Sequence, residues 1–115
     1  MQKKGIKSAK QITAERNAMY EAVVEQLDKQ GLTHSHYRAL ADDYADLYVI
    51  KEDLINDLKK RGVMTEYQHG GGQSGWKSND SLKELPKIIK AMSGILMELG
   101  LRPTQLNIEA EGMEI

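Results

Sequence analysis

Three groups of residues in this chain have types and spacing that could do chemistry. The first is HGGGQSGWKSND, residues 69–80. Its glycines, with Lys77 and Ser78 behind them, suggest a phosphate-binding loop, in which backbone amides cradle phosphate oxygens and a lysine and a hydroxyl reach the phosphates and magnesium. That chemistry needs the lysine directly after the last glycine and a buried apolar strand before the loop. Trp76 separates Gly75 from Lys77, and no such strand precedes it. A glycine turn selected for positive φ is the better reading.

The second group is His34 and His36, followed by Asp42, Asp43 and Asp46. Two histidines at i and i+2 project about 200° apart on a helix, so they do not clasp one metal there. The aspartates at 42, 46, 53 and 57 lie near one another on one helical face, which reads as a solvated acidic face or a subunit contact. Hydrolysis by paired carboxylates would need a cleft that raises one pKa, and a helix surface seldom provides one. No Ser/His/Asp combination has a supporting motif. No catalytic residue, metal site or cofactor is assigned.

The third group is the lysine-rich start. Lys3, Lys4, Lys7 and Lys10, continued by Arg16, suit sequence-independent contact with DNA phosphates, which gains affinity by releasing counterions. A solubilising tail is the plain alternative. The charge is segregated throughout. Residues 1–16 carry five bases against one acid, residues 17–58 three against nine, residues 59–90 seven against three, and the rest turns acidic again. Such blocks suit a polyanion at some surfaces and basic or like-built partners at others.

The elements that must position these groups are helical. A chain of 115 residues makes one domain, which buries roughly two thirds of its unfolded surface and leaves partners room to contribute. With no cysteine there are no disulfides, thiolate zinc sites or thiol nucleophiles. Neither a membrane span nor a secretory signal is expected, so the protein is expected in the cytoplasm. Residues 1–12 read as a flexible basic arm. Residues 13–103 read as one helical domain, with helices at about 14–30, 34–61 and 82–99. Thr13 is the expected first cap, Thr33 or Ser35 the second, and Ser81 with Glu84 a capping box for the third. The second helix, about 40 Å long, exceeds what a small core needs and suggests a bundle or a ring. Residues 63–79 read as a short β-hairpin or a glycine-rich loop. Gly100 and Pro103 end the last helix, and residues 104–115 form an acidic tail. The expected fold is mainly α: a long antiparallel hairpin plus a third helix. Tyr37, Tyr44 and Tyr48, on the apolar stripe of the second helix, read as core or interface aromatics, with base stacking as a lesser alternative. Ile88 and Ile95 widen the stripe of the third. Those five are expected at an interface between subunits.

Taken in order, the pieces from about Tyr20 to Leu106 resemble the phage terminase small subunit, in the short family built from a helical hairpin, a glycine-containing loop and a last helix closed by a leucine-glycine-leucine turn before proline. The matching stretches are GLTHSHYRALADDYADLY, GGGQSGWKSND and MELGLRPTQ. Asn79 and Asp80 stand where that family often has Asn-Pro or His-Pro, and Thr104 and Gln105 where serine and arginine are common. The resemblance implies a non-catalytic, homo-oligomeric ring that binds double-stranded phage DNA. It also implies recruitment and regulation of a large subunit holding the ATPase and nuclease, in the cytoplasm of the infected host. The tail, through Leu106, Ile108, Glu109, Glu111, Met113 and Ile115, is then expected to dock on that large subunit. The rival expectation is a small helical adaptor or antitoxin-like regulator that binds a protein and no DNA.

Overall fold

A computed structural model describes residues 5–69 and 73–106. The fold is mainly α, with three helices and a two-stranded antiparallel sheet between the second and third. Helix α1 spans Ala9–Lys29, α2 Ser35–Arg61 and α3 Asp80–Leu99; strands β1 (Met64–His69) and β2 (Gln73–Ser78) pair from Met64↔Ser78 to His69↔Gln73. A 3-10 turn, Pro103–Gln105, follows α3.

The caps correct three sequence expectations. Ser8, not Thr13, caps α1: its hydroxyl accepts from the Gln11 amide at 3.1 Å, so the helix begins inside the stretch expected to be a free arm. His34, not Thr33 or Ser35, caps α2, its Nδ1 accepting from the His36 amide at 3.1 Å. That role puts the imidazole to work on the backbone. Asn79, not Ser81, caps α3, with Oδ1 accepting from the Ser81 amide at 3.0 Å. Each true cap has a short acceptor that reaches an otherwise unpaired first-turn amide.

Helices α1 and α3 stop in the same way. Gly31 and Gly100 take φ of 76° and 72°, a left-handed conformation that glycine adopts without steric cost. The residue after each, Leu32 or Leu101, then donates back to the carbonyl five residues earlier, Leu27 or Leu96, at 2.9 Å in both cases. This turn folds a leucine under the helix end. Leu101 is consequently buried with Leu99, and the 3-10 turn brings Leu106 into the same core.

Helix α2 runs antiparallel to both neighbours, as its cross-links show: Arg16 to Asp42 and Asp46, Arg38 to Asp28, and Ser81 to Asp57. The core lies between the three helices and holds Met19, Val23 and Leu27 of α1, Ala41, Tyr44 and Tyr48 of α2, and Met92, Leu96 and Leu99 of α3. Tyr44 and Tyr48 are 6 % and 2 % exposed, so the reading of these two as subunit contacts is corrected. Their stripe is consumed inside the chain. Tyr37, Ile88 and Ile95 are half-buried at the edge of the same core.

A polar knot ties the far end of α2 to the start of α3. Asn79, fully buried, donates to Gly62 O at 3.0 Å, accepts from Arg61 at 3.2 Å, and its amide bonds Val63 O at 2.8 Å. Asp57 accepts from Arg61 at 2.6 and 2.8 Å and from the Ser81 hydroxyl at 2.6 Å. The Arg61 guanidinium, then the Ser81 hydroxyl, hold the Asp57 carboxyl well below the usual carboxylate range. Replacing Asn79 by alanine strands the Gly62 carbonyl and uncaps α3, an expected loss of about 1–3 kcal/mol. Urea unfolding measures it. A loss below about 0.5 kcal/mol, the level of an ordinary surface substitution, would show that the knot is ornamental.

Candidate nucleic-acid interface

Folding brings together the two basic blocks that the sequence separates. The described chain starts at Gly5, whose carbonyl accepts from Lys59 Nζ at 2.9 Å. Two residues later Asn56 grips the backbone of Lys7 from both sides, Oδ1 accepting from its amide at 3.0 Å and Nδ2 donating to its carbonyl at 2.8 Å. The start of the chain is thereby strapped to the last turns of α2. Lys59, Lys60 and Arg61 lie there, where the β-hairpin departs and α3 begins. Lys77, Lys83 and Lys87 are exposed on β2 and the first turns of α3, and Lys10 is exposed in the first turn of α1. Lys77 and Lys87 have only exposed partners, Asp80 at 4.0 Å and Glu84 at 3.2 Å, and such pairs leave their charge available to a polyanion. Trp76 is 66 % exposed on the hairpin and shares one face of the paired strands with Met64 and with Glu66 directly across from it, while Lys77 belongs to the other face. Trp76 therefore does not anchor the hairpin to the helices.

The opposite end is acidic. Glu21, Glu25, Asp28, Asp42, Asp43 and Asp46 are all exposed on the last turns of α1 and the first turns of α2. With principal extents of 61 × 29 × 21 Å, the molecule presents a basic end and an acidic end.

The residues expected to contact DNA divide. Lys3 and Lys4 lie outside the described residues. Lys10 is exposed as expected. Lys7 and Arg16 are not free cations: Arg16 is bonded to Asp42 and, at 2.9 Å, to Asp46. Lys7 reaches inward, bonded to Glu52 and, at 2.8 Å, to Glu15. Glu15 is 0 % and Glu52 6 % exposed. The Tyr48 hydroxyl donates to Glu15 at 2.5 Å and lies 3.2 Å from Glu52, and Gln11 donates to Glu15 at 3.1 Å. Burial works against both charges of the Lys7–Glu15 pair. The hydrogen bonds outweigh it, so Lys7 is raised and Glu15 lowered from their ordinary values.

Sequence reasoning missed this cluster because it began the first helix too late. With α1 starting at Ala9, the buried positions Ile12, Glu15 and Met19 follow at steps of three and four. A glutamate in an apolar stripe signals a buried partner, and that signal was legible once Ser8 was taken as the cap. In the tail, Leu106 is 9 % exposed in the chain's own core, which corrects its reading as a partner contact. Ile108, Glu109, Glu111, Met113 and Ile115 lie outside the described residues.

Among the described residues no helix is long and apolar enough to cross a membrane. In comparison with known families, residues 17–109 match the model described as phage terminase, small subunit. No curated protein and no solved structure gave a match.

Proposed function

The chain belongs to the phage terminase small-subunit family, and on that premise we propose that it is the non-catalytic DNA-recognition and regulatory subunit of a genome-packaging motor. Family membership supports the packaging role. The observation that carries the DNA-binding part is the merger of two basic blocks at one end of the molecule through the strap from Gly5 to Lys59. A basic surface suits a duplex contacted through its phosphates. Lys3, Lys4 and Lys10 supply contacts from the first block and Lys77, Lys83 and Lys87 from the second. Lys7 and Arg16 act by holding the strap and helix α1 in place.

Several copies close into a ring. An acidic end and a basic end on one body favour heterologous contacts, which can repeat until they close. Tyr37, Ile88 and Ile95, half-buried, are the apolar residues of that contact. Native mass spectrometry of the purified chain tests it: a single high-mass ring supports the reading, and a monomer or dimer favours an adaptor that binds protein alone. Residues 107–115 engage the large subunit, which carries the motor's ATPase and nuclease, in the cytoplasm of the infected host. Truncation after Leu106 keeps the core leucine, so it should abolish stimulation of the large subunit's ATPase while leaving ring mass per subunit otherwise unchanged.

For DNA, anisotropy titrations over a range of salt give the number of phosphates neutralised. Replacing Lys3, Lys4 and Lys10 together by alanine should lower the slope of log K against log salt by about 2.7, from about 0.9 per contact. An unchanged slope would remove the first block from the interface. A loss confined to Lys77→Ala/Lys83→Ala/Lys87→Ala would move the site to the hairpin and α3 alone.

A further inference from the structure

The hairpin face that carries Trp76 is left uncovered by the described residues. On it Trp76 is 66 % and Met64 47 % exposed, and Glu66, directly across from Trp76, is exposed as well. Lys77 lies on the opposite face, so an apolar contact on one side of the strands leaves that lysine available to phosphate on the other. Elsewhere, between α2 and α3, lies a depression of about 210 Å³, lined by Tyr44 and Lys51 of α2 and by Ile89, Met92, Ser93 and Leu96 of α3. Ile89 is 46 % exposed, an apolar side chain that the chain's own core leaves half open. Lys51 Nζ stands over the Tyr48 ring at 5.1 Å. Neither Lys51 nor Glu66 has an ionic partner among the described residues.

We propose that these are the two halves of one contact: the Trp76 face of one copy's hairpin seats in the α2–α3 depression of a second copy, with Glu66 against Lys51. The charges are complementary, since the knob carries an acid beside its indole and the depression a base beside its apolar lining. An exposed tryptophan flanked by methionine is the kind of anchor that dominates an interface once a partner's pocket excludes water from it. The chain's own depression is out of its reach. Met92 and Leu96 lie about 18 to 24 Å along α3 from its start at Asp80, where the hairpin joins it. Tyr44, at the other side of the depression, directly follows Asp42 and Asp43 of the acidic end, whereas the hairpin leaves from the basic end. The contact therefore joins unlike ends of two copies. Each copy offers a knob to one neighbour and a pocket to the other, which is the heterologous geometry that repeats until it closes.

This contact rests on the ring assembly proposed above, for which it names the seat. It leaves Lys77, Lys83 and Lys87 outside the interface, so assembly and phosphate contact use different faces of the hairpin and of α3.

Native mass spectrometry of the full chain and its variants tests it. Trp76→Ala removes the knob and Ser93→Arg fills the pocket; both positions are exposed, so the fold should survive, and circular dichroism checks that it does. Each variant alone should fall to monomer, its self-association weakened by at least about 30-fold. Mixed in equal amounts, the two should form a dimer and nothing larger, because each pair holds one intact knob and one intact pocket. Glu66→Lys should weaken assembly too, and Glu66→Lys/Lys51→Glu should recover it, the charges having been exchanged. A Trp76→Ala chain that assembles like the parent overturns the contact and leaves the ring standing; if that variant also binds duplex DNA more weakly, the indole belongs to the nucleic-acid surface instead. A Ser93→Arg chain that still pairs by itself overturns the pocket in favour of two Trp76 faces meeting each other. A monomeric parent overturns the contact and the ring together.

Discussion

Lys7→Met should destabilise the chain by about 3–5 kcal/mol, the loss expected when one partner of a buried ion pair is removed and the other charge stays behind. Lys7 Nζ is the ammonium that faces both Glu15 and Glu52, and Tyr48 and Gln11 alone cannot neutralise two carboxylates. The methionine keeps the length and apolar bulk of the side chain, so the measured loss belongs to the charge. Adding Glu15→Gln and Glu52→Gln to Lys7→Met should return most of the stability, because a neutral network of similar shape leaves no buried charge unpaired. Urea unfolding of the three chains checks this. A single-variant loss under about 1 kcal/mol would mean that the cluster behaves as a surface pair.

The pH dependence carries the same information with a definite sign. Glu15 titrates lower in the folded chain than its ordinary value, so its contribution is complete above about pH 4.3 and is lost as pH falls through the folded value. Lys7 titrates higher, so its contribution is complete below about pH 10.4 and is lost as pH rises. The parent should therefore weaken at both extremes. Lys7→Met should lose the alkaline limb, and it should gain stability on mild acidification, as the stranded Glu15 carboxylate takes up a proton.

Leu99→Ala is the second large effect, with an expected loss of about 2–5 kcal/mol. Leu99 is 2 % exposed and sits one residue before the glycine that ends α3. Removing its side chain leaves a cavity where α3, the returning Leu101 and the core of α1 and α2 meet. Met97, two residues earlier and 80 % exposed, is the matched control: Met97→Ala should stay within about 0.5 kcal/mol. Equal losses in the two variants would show that the helix end is not packed as described. A chain of this size has only about 5–15 kcal/mol of total stability, so Leu99→Ala is expected to populate unfolded protein measurably at 37 °C. The leucine-glycine-leucine ending is thus a core element first.

These two sites also show where sequence reasoning reaches and where it stops. The helix endings at Gly31 and Gly100 were legible because the signals are local: a glycine able to take positive φ, with a leucine after it. The hairpin was legible as one of two alternatives because Val63, Tyr67 and Trp76 flank a glycine turn. The caps were placed less well. Ser8, His34 and Asn79 each stand beside other residues of capping type, and the choice among them depends on where the apolar stripe must face. For the site, the charge blocks were legible but their partners were not. Lys7 and Arg16 read as free cations because, apart from Glu15 eight residues after Lys7, the acids that hold them are 26 to 45 residues away. Tyr44 and Tyr48 read as interface because a stripe on one helix does not say whether its cover comes from the same chain or another.

By itself, then, the sequence determined the three helices, the firm stop after α3, the segregation of charge and the family, and it narrowed the intervening segment to a hairpin or a glycine-rich loop. All of these depend on periodicity, capping chemistry and composition within short windows. Only the tertiary structure decided that Glu15 is buried, that Lys7 is a strut, that Leu106 belongs to the core and that the two basic blocks form one end of the molecule. Each of those depends on the register of α1 against α2 and of α3 against both. That register is set by the packing of the whole core, which no short window of sequence contains.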